Sequence, residues 1–121
     1  MKKKILTVDD SRTIRNMLLV TLTNAGYDTV QAEDGIEGLE MLEESDPDVI
    51  VTDINMPRLD GLGFIAGVRK NERYRAIPIL VLTTESDPDK KNQAREAGAT
   101  GWIVKPFDPA KLIAAIERVT A

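Results

Sequence analysis

The chain has 121 residues, of which 42% are hydrophobic, 30% are charged and 4% are aromatic. This length fits one domain with a buried core and excludes a second domain of any size. The 16 basic and 20 acidic residues give a net charge of −4, which argues against an electrostatic nucleic-acid binder. Because cysteine and histidine are both absent, disulfides, thiolate nucleophiles, Ser-His-Asp triads and most zinc sites are excluded.

The first residues contain three lysines, which resembles the basic start of a signal peptide, but the apolar stretch behind them is too short for one. It covers only residues 5–8 before Asp9 and Asp10 end it. No run approaches the ~20 apolar residues that a membrane span needs. The sequence therefore predicts a cytoplasmic protein without membrane insertion.

Five short apolar runs recur along the chain and predict β-strands. The first, third and fourth are nearly unbroken, which is typical of strands covered by helices on both faces of a parallel sheet. The runs occupy residues 4–8, 29–32, 49–52, 79–82 and 102–104.

The segments between these runs show the spacing of amphipathic helices. Gly26 and Gly98 stand where the first and fourth helices should end, and Asp108-Pro109 should begin the fifth. The fourth helix, at about residues 87–97, should be the least stable because its apolar residues are only Ala94 and Ala97. The other stripes are Ile14, Met17, Leu18, Thr21, Leu22 and Ala25; Ile36, Leu39 and Leu42; Leu62, Ile65 and Val68; and Leu112, Ile113, Ile116 and Val119.

This strand–helix alternation predicts one α/β domain over residues 1–121, a (βα)5 doubly wound parallel sheet. Ligands of such sheets bind beyond the carboxyl ends of the strands. Asp9 and Asp10 follow the first strand, Asp53 the third, Thr83 the fourth and Lys105 the fifth. Three carboxylates, a hydroxyl and an ammonium group should therefore meet at one edge.

Taken singly, such residues have structural explanations. Asp10, Ser11 or Thr83 could cap helices, and Asp34-Gly35 and Asp60-Gly61 are common turn signals. Together, however, three crowded carboxylates repel one another and should raise the pKa of at least one of them. Without a cation, that arrangement costs stability.

A hard divalent cation resolves this repulsion, because carboxylate, carbonyl and water oxygens are typical Mg²⁺ ligands. Lys105 and Thr83 would then contact a phosphoryl group, which suggests phosphoryl transfer. Since histidine and cysteine are absent, the nucleophile would be a carboxylate that forms an aspartyl phosphate. Asp53 is the candidate because its strand is central.

Four motifs resemble, in order, those of the receiver domains of two-component response regulators. They are Asp9-Asp10-Ser11-Arg12, the nine residues 53–61, Thr83, and Lys105-Pro106-Phe107. The resemblance covers essentially the whole chain and is strongest to single-domain chemotaxis members. It implies a flavodoxin-like sheet with strand order 2-1-3-4-5 and no output domain. It also implies a signalling domain, not an enzyme, that catalyses its own phosphoryl transfer and slow autodephosphorylation.

The resemblance also implies a role for each site residue. Asp53 would accept the phosphoryl group; Asp10, Asp53 and the Asn55 carbonyl would hold Mg²⁺ or Mn²⁺, with Asp9 acting through water. Lys105 would bind the phosphoryl group. The remaining implied roles are a switch at Thr83, tuning of dephosphorylation by Asn55 and Glu85, and a cis peptide bond at Pro106.

A departure from the family occurs at Trp102, where a tyrosine or phenylalanine usually rotates inward as the switch residue responds. The indole is either such a switch or simply a packed side chain.

The implied partners are a sensor histidine kinase as phosphodonor and a downstream protein such as a flagellar motor switch protein. The chain itself is expected to be a monomer. The fourth helix, fifth strand and fifth helix would form the output face, and their positive charges would suit an acidic or amphipathic peptide. The same charges also fit ordinary solvated helix faces. They are Lys90, Lys91, Arg95, Lys111 and Arg118.

Several other functions share parts of this pattern. A flavodoxin-like FMN binder would need a neutral phosphate loop where Asp9 and Asp10 stand. A haloacid-dehalogenase-like phosphatase would carry its Asp-x-Asp pair after the first strand. A pseudo-receiver would normally have lost the acid pair or the lysine, and both are present here. A phosphate sink, a phosphorelay intermediate and a receiver excised from a larger regulator all remain open.

Overall fold

A computed structural model describes residues 2–121, in which five strands alternate with five helices. The elements are β1 (Lys4–Val8), α1 (Arg12–Asn24), β2 (Asp28–Ala32), α2 (Gly35–Ser45), β3 (Val49–Thr52), α3 (Gly61–Lys70), a 3-10 helix (Glu72–Tyr74), β4 (Ile79–Thr83), α4 (Pro88–Ala97), β5 (Gly101–Val104) and α5 (Pro109–Thr120).

All strands are parallel and their order is β2-β1-β3-β4-β5, which confirms the expected doubly wound sheet. Every residue of β3 and β4 is buried, as is β1 beyond its first residue. This burial follows from helices on both faces. One apolar cluster includes Leu42, Phe64 and Ala94 from α2, α3 and α4, and the other includes Leu18 from α1 and Leu112 from α5.

Each α-helix begins at a polar side chain that accepts a hydrogen bond from a backbone N–H of its first turn. The caps are Ser11, Asp34, Asp60, Asp87 and Asp108. Asp34 and Asp60 therefore start helices, where the sequence pattern had indicated turns. Thr83 does not cap a helix, because three residues separate it from Asp87, the N-cap of α4.

Three large side chains that were expected in apolar stripes or runs are exposed, as is the smaller Ala25. Met17 and Ile36 are 44% and 40% exposed because α1 and α2 bury narrower faces, centred on Leu18 and Leu42. Val104 is 50% exposed because it ends β5, an edge strand.

Within residues 2–121, no helix is both long enough and apolar enough to cross a membrane.

The loop between β3 and α3 is tied to the start of α2 by Arg58. Its Nε and Nη2 donate to the two carboxylate oxygens of Asp34 at 2.8 and 3.1 Å. Arg58 has a φ of +66°, in the left-handed region where non-glycine residues are strained. The hydrogen bonds from Arg58, and those from the backbone of α2, lower the pKa of Asp34.

Replacing Arg58 should separate backbone strain from ion pairing. We expect Arg58→Gly to be more stable to urea than Arg58→Ala by about 1 kcal/mol, because both lose the pair but only glycine relieves the strain. The pair stabilises the fold above the ordinary pKa of an aspartate, and this contribution disappears as pH falls through the lowered pKa of Asp34. The difference between wild type and Arg58→Gly should therefore shift in favour of the glycine variant below about pH 4. Equal stabilities of the two variants would contradict the strain.

Candidate phosphoryl-transfer site

Asp9 stands at the carboxyl end of β1 and is almost fully buried, being 2% exposed. Its Oδ1 accepts a hydrogen bond from the Ser11 N–H at 2.9 Å, so the residue that caps α1 also orients this carboxylate. The Asp9 carbonyl accepts from Nη1 of Arg15 at 2.7 Å. Asp10, the next residue, is exposed. The expected acid pair is thus split into a buried and an exposed carboxylate.

Asp53 follows β3 and is also buried. Its Oδ1 accepts from the Ile54 N–H at 2.6 Å. The loop folds back closely at Gly61, whose N–H donates to the Ile54 carbonyl at 2.7 Å. A Cβ at this position would overlap the Asp53 carbonyl, so glycine is required beside the candidate phosphoacceptor.

Lys105 joins the two buried carboxylates. Its Nζ lies 2.8 Å from Asp9 Oδ2 and 2.8 Å from Asp53 Oδ2, and its side chain is 9% exposed. The backbone positions it as well, because its N–H donates to the Thr83 carbonyl at 2.8 Å. The Lys105–Pro106 peptide bond is cis. The sequence placed these charges at one edge but did not predict that the ammonium group bridges them.

The carboxylates of Asp9, Asp10 and Asp53 offer oxygens that all lie within 4.8 Å of one another. Burial is the main reason why the pKa of Asp9 is raised, and repulsion by Asp53 adds only a minor part. The expected raised pKa is present, but its principal cause is desolvation and not crowding. Burial disfavours the charged form of Lys105, yet its hydrogen bonds to both carboxylates outweigh this and raise its pKa.

The other predicted residues lie on separate elements of the fold. Thr83 is fully buried, and its Oγ1 accepts from the Glu85 N–H at 3.1 Å. Asn55 is exposed in the loop after Asp53. Trp102 pairs with Val81 in the sheet and is half-buried against the apolar cluster that contains Ala94.

Arg15 is a residue near the site that sequence reasoning missed. Its Nη1 donates a hydrogen bond to the Asp9 carbonyl, and its Nη2 lies 3.5 Å from Oε1 of Glu33. Its position four residues after the N-cap Ser11 is a signal that could have found it, since the side chains of an α-helix lean towards its N-terminus.

The donor set suits a hard divalent cation. Three carboxylates converge, while Lys105 supplies one positive charge to the two that are buried. Each carboxylate oxygen that already accepts one hydrogen bond keeps a second lone pair. Oxygen-rich, negatively charged sites of this kind are those that Mg²⁺ prefers.

The family model described as the response regulator receiver domain matches residues 5–117. This chain belongs to the response regulator receiver domain family.

Individual receiver domains align with it over nearly their whole length. Chemotaxis protein CheY1 of Helicobacter pylori is 42% identical over 118 residues, covering 96% of this chain and 95% of the relative. The structure of the Vibrio cholerae chemotaxis protein CheY4 superposes with a TM-score of 0.94 at 45% identity, covering 98% and 99% of the two chains.

A third receiver domain comes from within a sensor histidine kinase of Pseudomonas aeruginosa. It superposes with a TM-score of 0.92 at 28% identity and covers 99% of this chain and 98% of that one. That structure contains a magnesium ion coordinated in its active-site cleft. These matches identify the present chain as a two-component signalling domain of the CheY type.

Proposed function

We propose that this receiver domain is a chemotaxis signalling switch that takes a phosphoryl group onto Asp53 from a phosphohistidine of a sensor histidine kinase. The observation that carries the proposal is the Lys105 ammonium, which lies 2.8 Å from carboxylate oxygens of both Asp9 and Asp53. An ammonium group in this position can transfer its hydrogen bond from the Asp53 carboxylate to an oxygen of the phosphoryl group that Asp53 accepts. The relatives named as chemotaxis proteins support the biological role.

In the transfer, an Asp53 carboxylate oxygen attacks the phosphorus atom. The P–O bond forms as the bond between phosphorus and the donor's imidazole nitrogen breaks, and the electron pair leaves with the imidazole. Asp53 can act without a general base because its carboxylate carries no proton that must be removed. Lys105 then donates to the transferred group instead of to the free carboxylate.

Mg²⁺, or Mn²⁺ in its place, would be held by Asp10, Asp53 and the Asn55 carbonyl, with Asp9 contributing through water. When bound, the ion supplies positive charge that offsets the repulsion between the carboxylates and the incoming phosphoryl group. The exposure of Asp10 and Asn55 leaves this side of the cluster open to solvent and to a donor protein. After transfer, Asn55 and Glu85 would tune the attack of water on the aspartyl phosphate, as the family resemblance implies, and the domain would dephosphorylate itself slowly.

The switch runs from Thr83 to the face formed by α4, β5 and α5. The Thr83 hydroxyl moves to donate a hydrogen bond to a phosphoryl oxygen. It then gives up the bond that its Oγ1 accepts from the Glu85 N–H, which releases the loop before α4. A depression on this face contains Lys91, Arg95 and Trp102. Its basic rim and aromatic wall suit an acidic or amphipathic segment of a downstream protein, such as a flagellar motor switch protein.

Activation should be visible in the emission of Trp102, the only tryptophan of the chain. Beryllofluoride with Mg²⁺, a stable mimic of the aspartyl phosphate, should change its intensity or wavelength because the indole packs beside α4. The change should be absent in Asp53→Asn and reduced in Thr83→Ala. If emission stays constant while partner binding is fully activated, Trp102 only packs and the switch uses Thr83 and the backbone.

A phosphate sink or a relay intermediate is the second candidate, favoured by the similar receiver found within a sensor histidine kinase. Pull-down of partners with and without beryllofluoride distinguishes the two. A switch should capture a downstream protein only when activated, whereas a sink or relay should capture only phosphodonor or phosphoacceptor proteins.

A further inference from the structure

We infer that Arg69 is a positioning residue that fixes the carboxyl end of α4 and the following residues 99–101, which line the depression containing Lys91, Arg95 and Trp102. As a result, α4 responds to phosphorylation of Asp53 only through its amino end. This inference rests on the proposed function for its role in signalling. Arg69 lies in the last turn of α3, and the Asp9–Asp53–Lys105 cluster does not include it.

The guanidinium group of Arg69 makes four hydrogen bonds to three backbone carbonyls. Nε and Nη2 both donate to the Gly98 carbonyl, at 3.2 and 2.7 Å. Nη1 donates to the carbonyls of Tyr74 and Arg75, at 3.0 and 3.2 Å. These carbonyls belong to the C-cap of α4 and to the end of the 3-10 helix. One cation therefore caps two helical segments at their negative ends.

The absence of a side chain at Gly98 allows Arg69 to approach its backbone closely. Gly98 has a φ of +119°, and a Cβ at this position would lie 2.7 Å from Nε and 2.9 Å from Cγ of Arg69. The next fixed point is Thr100, whose N–H donates to the Ile79 carbonyl at 2.7 Å and whose Oγ1 accepts from the Ile79 N–H at 3.0 Å. The turn from α4 into β5 is thus anchored to α3 on one side and to β4 on the other.

The amino end of α4 lacks comparable anchoring. Residues 88–93 contain no buried side chain, whereas Ala94 is fully buried and residues 97–99 are partly buried. The Asp87 cap is local to the helix, since it accepts from Asp89. Before it, the Glu85 N–H bonds to Thr83, the residue that the phosphoryl group would draw away. A helix anchored at one end and linked to the switch at the other pivots about its anchored end.

Native-state amide exchange, followed by NMR, tests the anchor without any ligand. In Arg69→Met the amides of Gly98 and Ala99 should exchange about tenfold faster or more than in wild type, because hydrogen bonds from a charged donor are lost. Amides of β3 report global unfolding and provide the normalisation. Arg69→Lys keeps the charge but not the planar fork, so it should fall between the two. The matched control is Lys70→Met, which removes an exposed cation from the same turn.

Beryllofluoride with Mg²⁺ tests the pivot. Between residues 84 and 102, changes in exchange in wild type should be confined to residues 84–93, and in Arg69→Met or Arg69→Lys they should extend through residues 98–102. Normalised exchange at Gly98 and Ala99 that is unchanged in both variants would overturn the anchor. A wild-type response that already includes residues 98–100 would overturn the pivot. If wild type ignores beryllofluoride altogether, the proposed function fails, and the ligand-free exchange rates still decide the anchor.

Discussion

Acetyl phosphate and Mg²⁺ should add one acid-labile phosphoryl group to the wild-type chain and none to Asp53→Asn. The reason is that Asp53 is the acid cluster's buried carboxylate on the central strand β3, with Lys105 Nζ at 2.8 Å. Asparagine preserves the shape of the side chain, but its neutral amide is not a nucleophile. Intact-mass measurement before and after acid treatment detects the adduct, which should also require Mg²⁺ or Mn²⁺.

Two further variants make this experiment specific. Asp28→Asn removes an exposed carboxylate at the start of β2, on the opposite edge of the sheet, and should be labelled as wild type is. Asp10→Asn keeps the acceptor but loses a proposed metal ligand, so its labelling should need more Mg²⁺. An adduct that survives Asp53→Asn would place the phosphoacceptor elsewhere.

Replacing Lys105 with methionine should lower the free energy of unfolding by about 2 kcal/mol at neutral pH without Mg²⁺. The substitution leaves the carboxylates of Asp9 and Asp53 buried without their shared cation. Urea unfolding measures the loss. Lys111→Met, which removes an exposed cation from α5, should change stability little.

The loss should depend on pH in a defined direction. Burial already raises the pKa of Asp9, and removing Lys105 takes away contacts that lower it. A carboxyl group with a raised folded pKa stabilises the fold below its unfolded pKa, and this contribution is lost as pH rises through the folded value. The loss of unfolding free energy in Lys105→Met, relative to wild type, should therefore be small in acid and should grow as pH rises through the acidic range. A pH-independent deficit would mean that lost packing, not the unpaired carboxylates, causes it.

Mg²⁺ should restore part of this stability, because an ion bound only by the folded state stabilises it. At about one hundred times its Kd the gain is about 2.7 kcal/mol. Unfolding curves of wild type and Lys105→Met that are both indifferent to Mg²⁺ would argue against the proposed metal site.

The sequence alone was enough to establish the architecture. Apolar runs such as residues 49–52 and 79–82 can be satisfied only by burial on both faces, and alternation with amphipathic segments then requires parallel crossovers. Because the carboxyl ends of parallel strands share one edge, the positions of Asp9, Asp53 and Lys105 just after their strands predicted that they would meet. The spacing of these residues relative to the apolar runs is therefore enough to predict that they converge.

The limits of sequence reasoning appear where a residue's environment depends on distant segments. Nothing local distinguishes Asp9 from Asp10, yet the first is buried and the second exposed, because only Asp9 turns inwards towards Lys105. Helical spacing likewise included Met17 and Ile36 among core residues, although the width of a buried face depends on the neighbouring elements.

Tertiary structure alone determined the contacts made by long cationic side chains. Arg58 reaches Asp34, 24 residues away in the chain, and Arg69 reaches the carbonyl of Gly98, 29 residues away. In the sequence both arginines look like ordinary solvated charges. Their partners are a helix cap and a helix end, whose unsatisfied polar groups attract a cation only after folding has brought the separate segments together.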